Sequence, residues 1–186
     1  MKKILIFVSA AMALSDAYAI RRQPHLDSPV TIAGDYIQLA LPLSALAYSM
    51  FISDWQGVGQ LAYATTSTVI ATEILKRTID EERPYQDENA SGRSFPSGHT
   101  SFAFAGAGYW QMRYGWYVGA PMYAAAAFVG YSRNFSHMHN WTDIAAGAAL
   151  GIGFNILFTS RYIPDGTNIS VSPTDGGAML RFNTVF

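Results

Sequence analysis

Cysteine is absent from the chain. That excludes disulfides, thiolate metal sites and a cysteine nucleophile. Charge is scarce: Asp, Glu, Lys and Arg make up 13% of the residues, against about a quarter in ordinary globular proteins. The net charge of −1 gives no footing for a nucleic-acid partner, which asks for a basic face. No internal repeat and no low-complexity linker divides the chain, so a two-domain organisation has no boundary to rest on. What the sequence does have is apolar bulk. Half of its 186 residues are hydrophobic, enough for one domain with a sizeable core.

The N-terminus reads as an export signal. Lys2 and Lys3 open it, an apolar run follows from Ile4 to Leu14, and Ala17-Tyr18-Ala19 forms a small-x-small cleavage site. An uncleaved membrane anchor is the competing reading. The expected organisation is a signal peptide over residues 1–19, a helical domain over 20–162 and a tail over 163–186. In a bacterium an export signal leads to the periplasmic face of the inner membrane, or to the soluble periplasm.

Five stretches lack charge: Tyr36–Ser53, Gln56–Thr72, Thr100–Met112, Tyr114–Ser132 and Ile144–Ser160. Their length and alanine-rich runs such as Ala124–Ala127 predict helices rather than strands. The fold class expected is therefore all-α, a bundle of about five helices after the signal segment. A membrane-spanning helix needs about 20 mostly apolar residues, with roughly 17 at the low end. Four of the stretches are borderline and Thr100–Met112 is short. Their Ala, Gly, Ser and Thr residues let helices approach closely, which suits a membrane bundle and also a compact soluble one; the balance tips to the membrane. In the tail, Pro164-Asp165-Gly166 and Asp175-Gly176-Gly177 are turn signals. They predict a short β-hairpin with strands at Ile169–Ser172 and Met179–Phe186.

The polar breaks hold three clusters: Lys76 to Pro84, Pro96-Ser97-Gly98-His99, and Ser132-Arg133 followed by His139-Asn140-Trp141-Thr142-Asp143. Each has a plain structural reading. Lysine and arginine satisfy carbonyls at a helix C-terminus, serine caps a helix N-terminus, and His139 with Asp143 is an i, i+4 pair. Helix counting links them. In an up-and-down bundle with short connections, the chain leaves the second helix at Lys76 and enters the third at Ser97. It turns back near Arg113–Gly115, leaves the fourth helix at Arg133 and enters the fifth near His139. All three clusters then fall at one end. Lys76, Arg83 and Arg133 around an exposed helix start would make an anion site.

Lys-x6-Arg-Pro, then Pro-Ser-Gly-His, then Ser-Arg-x5-His-x3-Asp resembles the signature of the type 2 phosphatidic acid phosphatase superfamily. Its members include membrane lipid phosphatases, soluble bacterial acid phosphatases and vanadium haloperoxidases. Every fixed position is present: Lys76, Arg83, Pro84, Pro96, Ser97, Gly98, His99, Ser132, Arg133, His139 and Asp143. The resemblance covers about residues 30 to 160, and the segment from His139 to Gly147 looks more like the membrane members. The loop Tyr85–Phe95 between the first two clusters is near the short end for the family, which leaves the substrate open.

The resemblance implies a division of roles. Lys76, Arg83, Ser97, Gly98 and Arg133 bind phosphate. His139 is the nucleophile that forms a phosphohistidine, Asp143 orients it, and His99 protonates the leaving oxygen and later activates water. No metal or other cofactor is implied. The acidic run Asp80-Glu81-Glu82 reads as a solvated loop, and a metal pair of His137 and His139 is outweighed by the nucleophilic role. The implied partner is a phosphorylated lipid or isoprenoid substrate. The alternatives are a soluble broad-specificity periplasmic acid phosphatase, a vanadium haloperoxidase, and a non-catalytic binder of phosphate or lipid headgroups. Transfer of phosphate to a second alcohol is a further outcome open to a phosphohistidine.

Overall fold

A computed structural model describes residues 27–84, 93–164, 168–174 and 177–183. The expected signal peptide and most of the loop from Tyr85 to Phe95 lie outside the described residues. Among these residues there are five α-helices: α1 (Pro29–Phe51), α2 (Trp55–Thr78), α3 (Gly98–Tyr109), α4 (Trp116–Phe135) and α5 (Trp141–Phe158). A π-turn, Trp110–Tyr114, joins α3 to α4. Strands β1 (Asn168–Thr174) and β2 (Gly177–Asn183) pair antiparallel. The all-α bundle and the hairpin tail expected from the sequence are thus observed, with β2 starting two residues earlier than the turn signal suggested.

The helices begin where local chemistry starts them. Ser28 accepts from the Thr31 N–H ahead of Pro29 at the first helical position of α1. Asp54 accepts from the Gly57 N–H to cap α2. Ser97 accepts from the Thr100 N–H to cap α3. Four helices also run past the uncharged stretches that predicted them, taking in Asp35, Glu73, Lys76, Arg77, Arg133 and Asp143. All six lie within the first or last two turns of their helices, and Asp35, Lys76, Arg133 and Asp143 are engaged by the site or by a cap.

α3 is the central element and packs against α1, α2, α4 and α5. At 12 residues it is only about 18 Å long, which accounts for the short third stretch. Its interior is made of small residues, with Ala103, Ala105 and Ala107 fully buried. Close backbone approach depends on glycine. A Cβ at Gly106 would lie 2.6 Å from the Pro42 nitrogen of α1, and one at Gly151 of α5 would lie 2.6 Å from the Ala105 nitrogen.

The distribution of side chains is inverted relative to a water-soluble bundle. Thr68, Thr72, Ser49, Ser101, Ser132 and Asn155 are buried, while Leu39, Leu43, Val69, Ile70, Ile74, Ile156 and Leu157 are exposed. Among the described residues α1 and α5 are long and apolar enough to cross a membrane. At one end of the bundle Arg113 and Asp54 form a buried two-bond ion pair, with Arg113 also donating to the carbonyls of Ser160 and Arg161. The opposite end holds the charged clusters.

Candidate active site

The N-termini of α1, α3 and α5 and the C-termini of α2 and α4 meet at that second end. They enclose a cavity of about 320 Å³, at the low end of the roughly 300–1,000 Å³ usual for small-molecule sites. Lys76 reaches it from α2 and Arg83 from the segment that follows. Gly98 and His99 enter from the start of α3, Arg133 from the end of α4, and Met138 and His139 from the turn before α5. Helix counting placed these groups at one end, and the structure brings them onto one cavity.

His139 sits two residues before α5, not on the helix as its i, i+4 spacing to Asp143 suggested. The local reason is the helix start. Asn140 is the N-cap and Asp143 is the third helical residue, so its Oδ2 folds back to accept from the Asn140 N–H at 3.0 Å. The same oxygen lies 3.2 Å from His139 Nδ1 and accepts from Ser94 Oγ at 2.5 Å. Asp143 is fully buried, and its other oxygen has no hydrogen-bond partner among the described residues. His139 is almost fully buried, and burial pushes its pKa below the ordinary value although Asp143 pulls the other way. The ring is therefore neutral at pH 7. With Nδ1 turned to a carboxylate, Nε2 carries the free lone pair.

The cations are held differently. Lys76 Nζ donates to the Ser94 carbonyl at 3.3 Å. Arg83 Nη1 approaches Met138 Sδ at 3.9 Å, and its Nε is buried without a partner among the described residues. Arg133 donates from Nη1 to Asp35 at 2.8 Å, from Nη2 to the Thr31 carbonyl at 2.8 Å and from Nε to Ser132 Oγ at 3.1 Å. In front of α3 the space is open: a Cβ at Gly98 would meet nothing nearer than Lys76 Cε at 3.8 Å. Ser97 does not line the cavity. It is fully buried, and its Oγ is engaged by the N–H and hydroxyl of Thr100.

His99 Nε2 lies 3.1 Å from Asp35 Oδ1. Partial burial and the nearby Arg133 charge hold its pKa down to about 4, against the opposing pull of Asp35. Asp35, Thr31 and Ser94 were not picked out from the sequence. For Asp35 a signal existed: it is a lone carboxylate at the edge of an apolar run. A serine in a loop and a backbone carbonyl carry none. Among the described residues no group of three or more His, Asp or Glu is placed to hold a metal ion.

A site of three cations, an open helix start and two aspartate–histidine pairs suits a phosphate ester, and comparison with known proteins agrees. Residues 57–164 match the PAP2 superfamily. The lipid A 4'-phosphatase of Helicobacter pylori is 32% identical over 142 residues, covering 70% of each chain. A probable diacylglycerol pyrophosphate phosphatase of Schizosaccharomyces pombe is 26% identical over 152 residues, covering 59% of this chain and 54% of its own. The crystal structure of Aquifex aeolicus LpxE superposes with a TM-score of 0.62 at 25% identity, over 78% of this chain and 92% of that one. The transmembrane PAP2-type phosphatidylglycerolphosphate phosphatase of Bacillus subtilis gives 0.59 at 26% identity, over 82% and 84%. The matched region contains every charged group of the three clusters, from Lys76 to Asp143, and on that ground the chain belongs to the PAP2 superfamily and is a phosphatase.

Proposed function

We infer that this phosphatase hydrolyses phosphate monoesters or pyrophosphates of membrane lipids through a phosphohistidine on His139. The observation that carries the reading is the convergence of Lys76, Arg83 and Arg133 with His99 and His139 on one cavity. The three cations neutralise the phosphate and the charge that grows on its equatorial oxygens. His139 Nε2 attacks phosphorus, and Asp143 stabilises the positive charge that develops on the ring. The negative charge of the bound phosphate raises the His99 pKa from its resting value of about 4, so that the ring carries a proton. As the bond to the leaving oxygen breaks, that oxygen takes this proton. His99, now neutral, then accepts a proton from water as the water attacks the phosphohistidine, which releases phosphate and restores both rings. Gly98 leaves room for a phosphate oxygen to reach the start of α3. Ser97 acts from behind by capping that helix.

Lipid as the substrate is supported by the exposed large apolar side chains along α1, α2 and α5, the kind of surface that marks a membrane contact. It is also supported by relatives that act on lipid A and on diacylglycerol pyrophosphate. The site end of the bundle is assigned to the periplasmic face of the inner membrane, and no metal is assigned to the reaction.

Phosphate release in EDTA tests this, using detergent-solubilised wild type and His139→Ala. The substrates are a soluble aryl phosphate, phosphatidic acid, phosphatidylglycerol phosphate and a lipid A phosphate. The expected result is release by the wild type alone, with lipids preferred over the aryl ester. Equal activity in both proteins would remove His139 from its role. A preference for the aryl ester without any need for detergent would favour the soluble acid phosphatase.

A further inference from the structure

One wall of the cavity lies outside the residues that match the family. It is the first turn and a half of α1, which precedes residue 57. Asp35 Oδ1 accepts from Arg133 Nη1 at 2.8 Å and lies 3.1 Å from His99 Nε2. One turn earlier, the Thr31 carbonyl accepts from Arg133 Nη2. Gly34, between them, sets the approach of α1. A Cβ there would lie 2.0 Å from Ser132 Oγ and 3.0 Å from Arg133 Nη2.

Asp35 and Asp143 differ in a way that bears on function. Asp143 is 0% exposed and is tied by Ser94 and the Asn140 N–H, whereas the Asp35 side chain is 46% exposed and opens onto the cavity. A carboxylate on an anion site repels the anion. Its two contacts show what it does instead. We propose that Asp35 is a positioning residue: it fixes the plane of the Arg133 guanidinium and holds the proton on His99 Nε2, at a cost in affinity for phosphate. The proposal rests on the phosphatase reading above.

The groups that face His99 across the cavity are Asp35 from α1, Lys76 from α2, Arg83 beyond it, Arg133 from α4 and His139 ahead of α5. Among the described residues that line the cavity, Asp35 is the one carboxylate. Its negative charge favours an imidazolium at position 99, against burial and Arg133. As His139 bonds to phosphorus, the leaving oxygen keeps the electron pair of the broken bond and takes the Nε2 proton. An alkoxide needs that proton to leave, while a nitrophenolate does not.

The test uses full-length wild type, Asp35→Asn and Asp35→Glu in detergent. The kcat/KM of each is followed against pH for phosphatidic acid and for 4-nitrophenyl phosphate. Asp35→Asn is expected to lower kcat/KM for phosphatidic acid about tenfold at pH 7 and to move its alkaline limb about one unit toward acid. The nitrophenyl ester, which keeps only the loss from a looser Arg133, is expected to fall clearly less than phosphatidic acid and without the shift of the alkaline limb. Asp35→Glu is expected to recover most of the loss. An equal fall for both esters at every pH, or no change for either, overturns the proposal. The imidazole titration of His99, read by NMR in both proteins, needs no turnover. An unchanged midpoint in Asp35→Asn sinks the positioning role on its own, and a wild type inactive on every ester sinks the phosphatase reading instead.

Discussion

Asp143 Oδ2 stands 3.2 Å from Nδ1 of His139, across the first turn of α5. The pairing leaves His139 Nε2 as the nitrogen for phosphorus in the proposed reaction. Asp143→Asn replaces an acceptor by a group that can present an N–H and permit the wrong tautomer. It is expected to lower kcat by about 10²–10⁴ with the fold retained. Ser94→Ala removes one neutral donor to the same oxygen and is expected to cost about tenfold. Steady-state rates and labelling of His139 trapped by an alkaline quench, which preserves a phosphohistidine, check both. An Asp143→Asn protein with an unchanged kcat would reject the assignment.

Arg83 carries a buried Nε with no partner among the described residues. A guanidinium left so is costly unless an anion satisfies it. Arg83→Lys keeps the charge and loses the fork. Vanadate inhibition is expected to weaken by about tenfold or more, with a matching rise in KM for phosphate esters. Unchanged inhibition would take Arg83 out of the anion site.

Both cavity histidines bind protons more weakly in the fold than in the unfolded chain, His99 at about 4 against an ordinary 6.5. Between those values the unfolded chain carries more protons, so stability rises with pH. The contribution is fully present above about pH 6.5 and is lost as pH falls toward 4. Thermal unfolding at pH 7.5 and 4.5 is expected to show a smaller acid loss for His99→Gln than for wild type. Inorganic phosphate, which adds negative charge beside the ring, is expected to raise the His99 pKa and shrink the loss in wild type alone. Identical acid losses in the two proteins would contradict the burial argument.

At the far end of the bundle, Arg113 donates from Nε to Asp54 Oδ2 at 2.8 Å and from Nη2 to Oδ1 at 2.5 Å. Each side chain is 2% exposed. Asp54→Asn leaves a buried guanidinium without its counter-charge and is expected to destabilise the protein by about 3–5 kcal/mol. The folded fraction is expected to keep its catalytic constants, because the pair lies at the end of α1 and α2 away from the cavity. Denaturation curves with active-site titration separate the two effects.

Two glycines of α5 make opposite cases. A Cβ at Gly151 would come 2.6 Å from both the Ala105 nitrogen and the Ser101 oxygen, whereas one at Gly153 meets nothing within 4 Å. Gly151→Ala is expected to cost about 1–3 kcal/mol by overpacking. Gly153→Ala is expected to stabilise by roughly 0.5–1 kcal/mol through helix propensity. Melting temperatures of the two variants, measured side by side, decide it.

Much of this molecule follows from short-range rules. Uncharged, alanine-rich runs make the five helices, and Ser28, Asp54 and Ser97 start three of them. With short connections, the alternation of helix direction alone puts Lys76, His99, Arg133 and His139 at one end. Local rules also misled at one point. The i, i+4 spacing of His139 and Asp143 reads as a helical pair, yet the helix begins between them and the contact is made by a cap.

What the sequence could not decide is which distant groups touch. Arg133 meets Thr31 and Asp35 across 102 and 98 positions of chain, and Ser94 reaches Asp143 across 49. Such contacts depend on how closely helices pack. Gly34 lets α1 settle on Ser132, and Gly151 lets α5 settle on α3. Helix periods and caps are written into neighbouring residues, so the chain by itself determined the elements and their ends. The depth of packing between helices is set by the fit of surfaces far apart in sequence, and only the tertiary structure turned a lone Asp35 into a partner of His99.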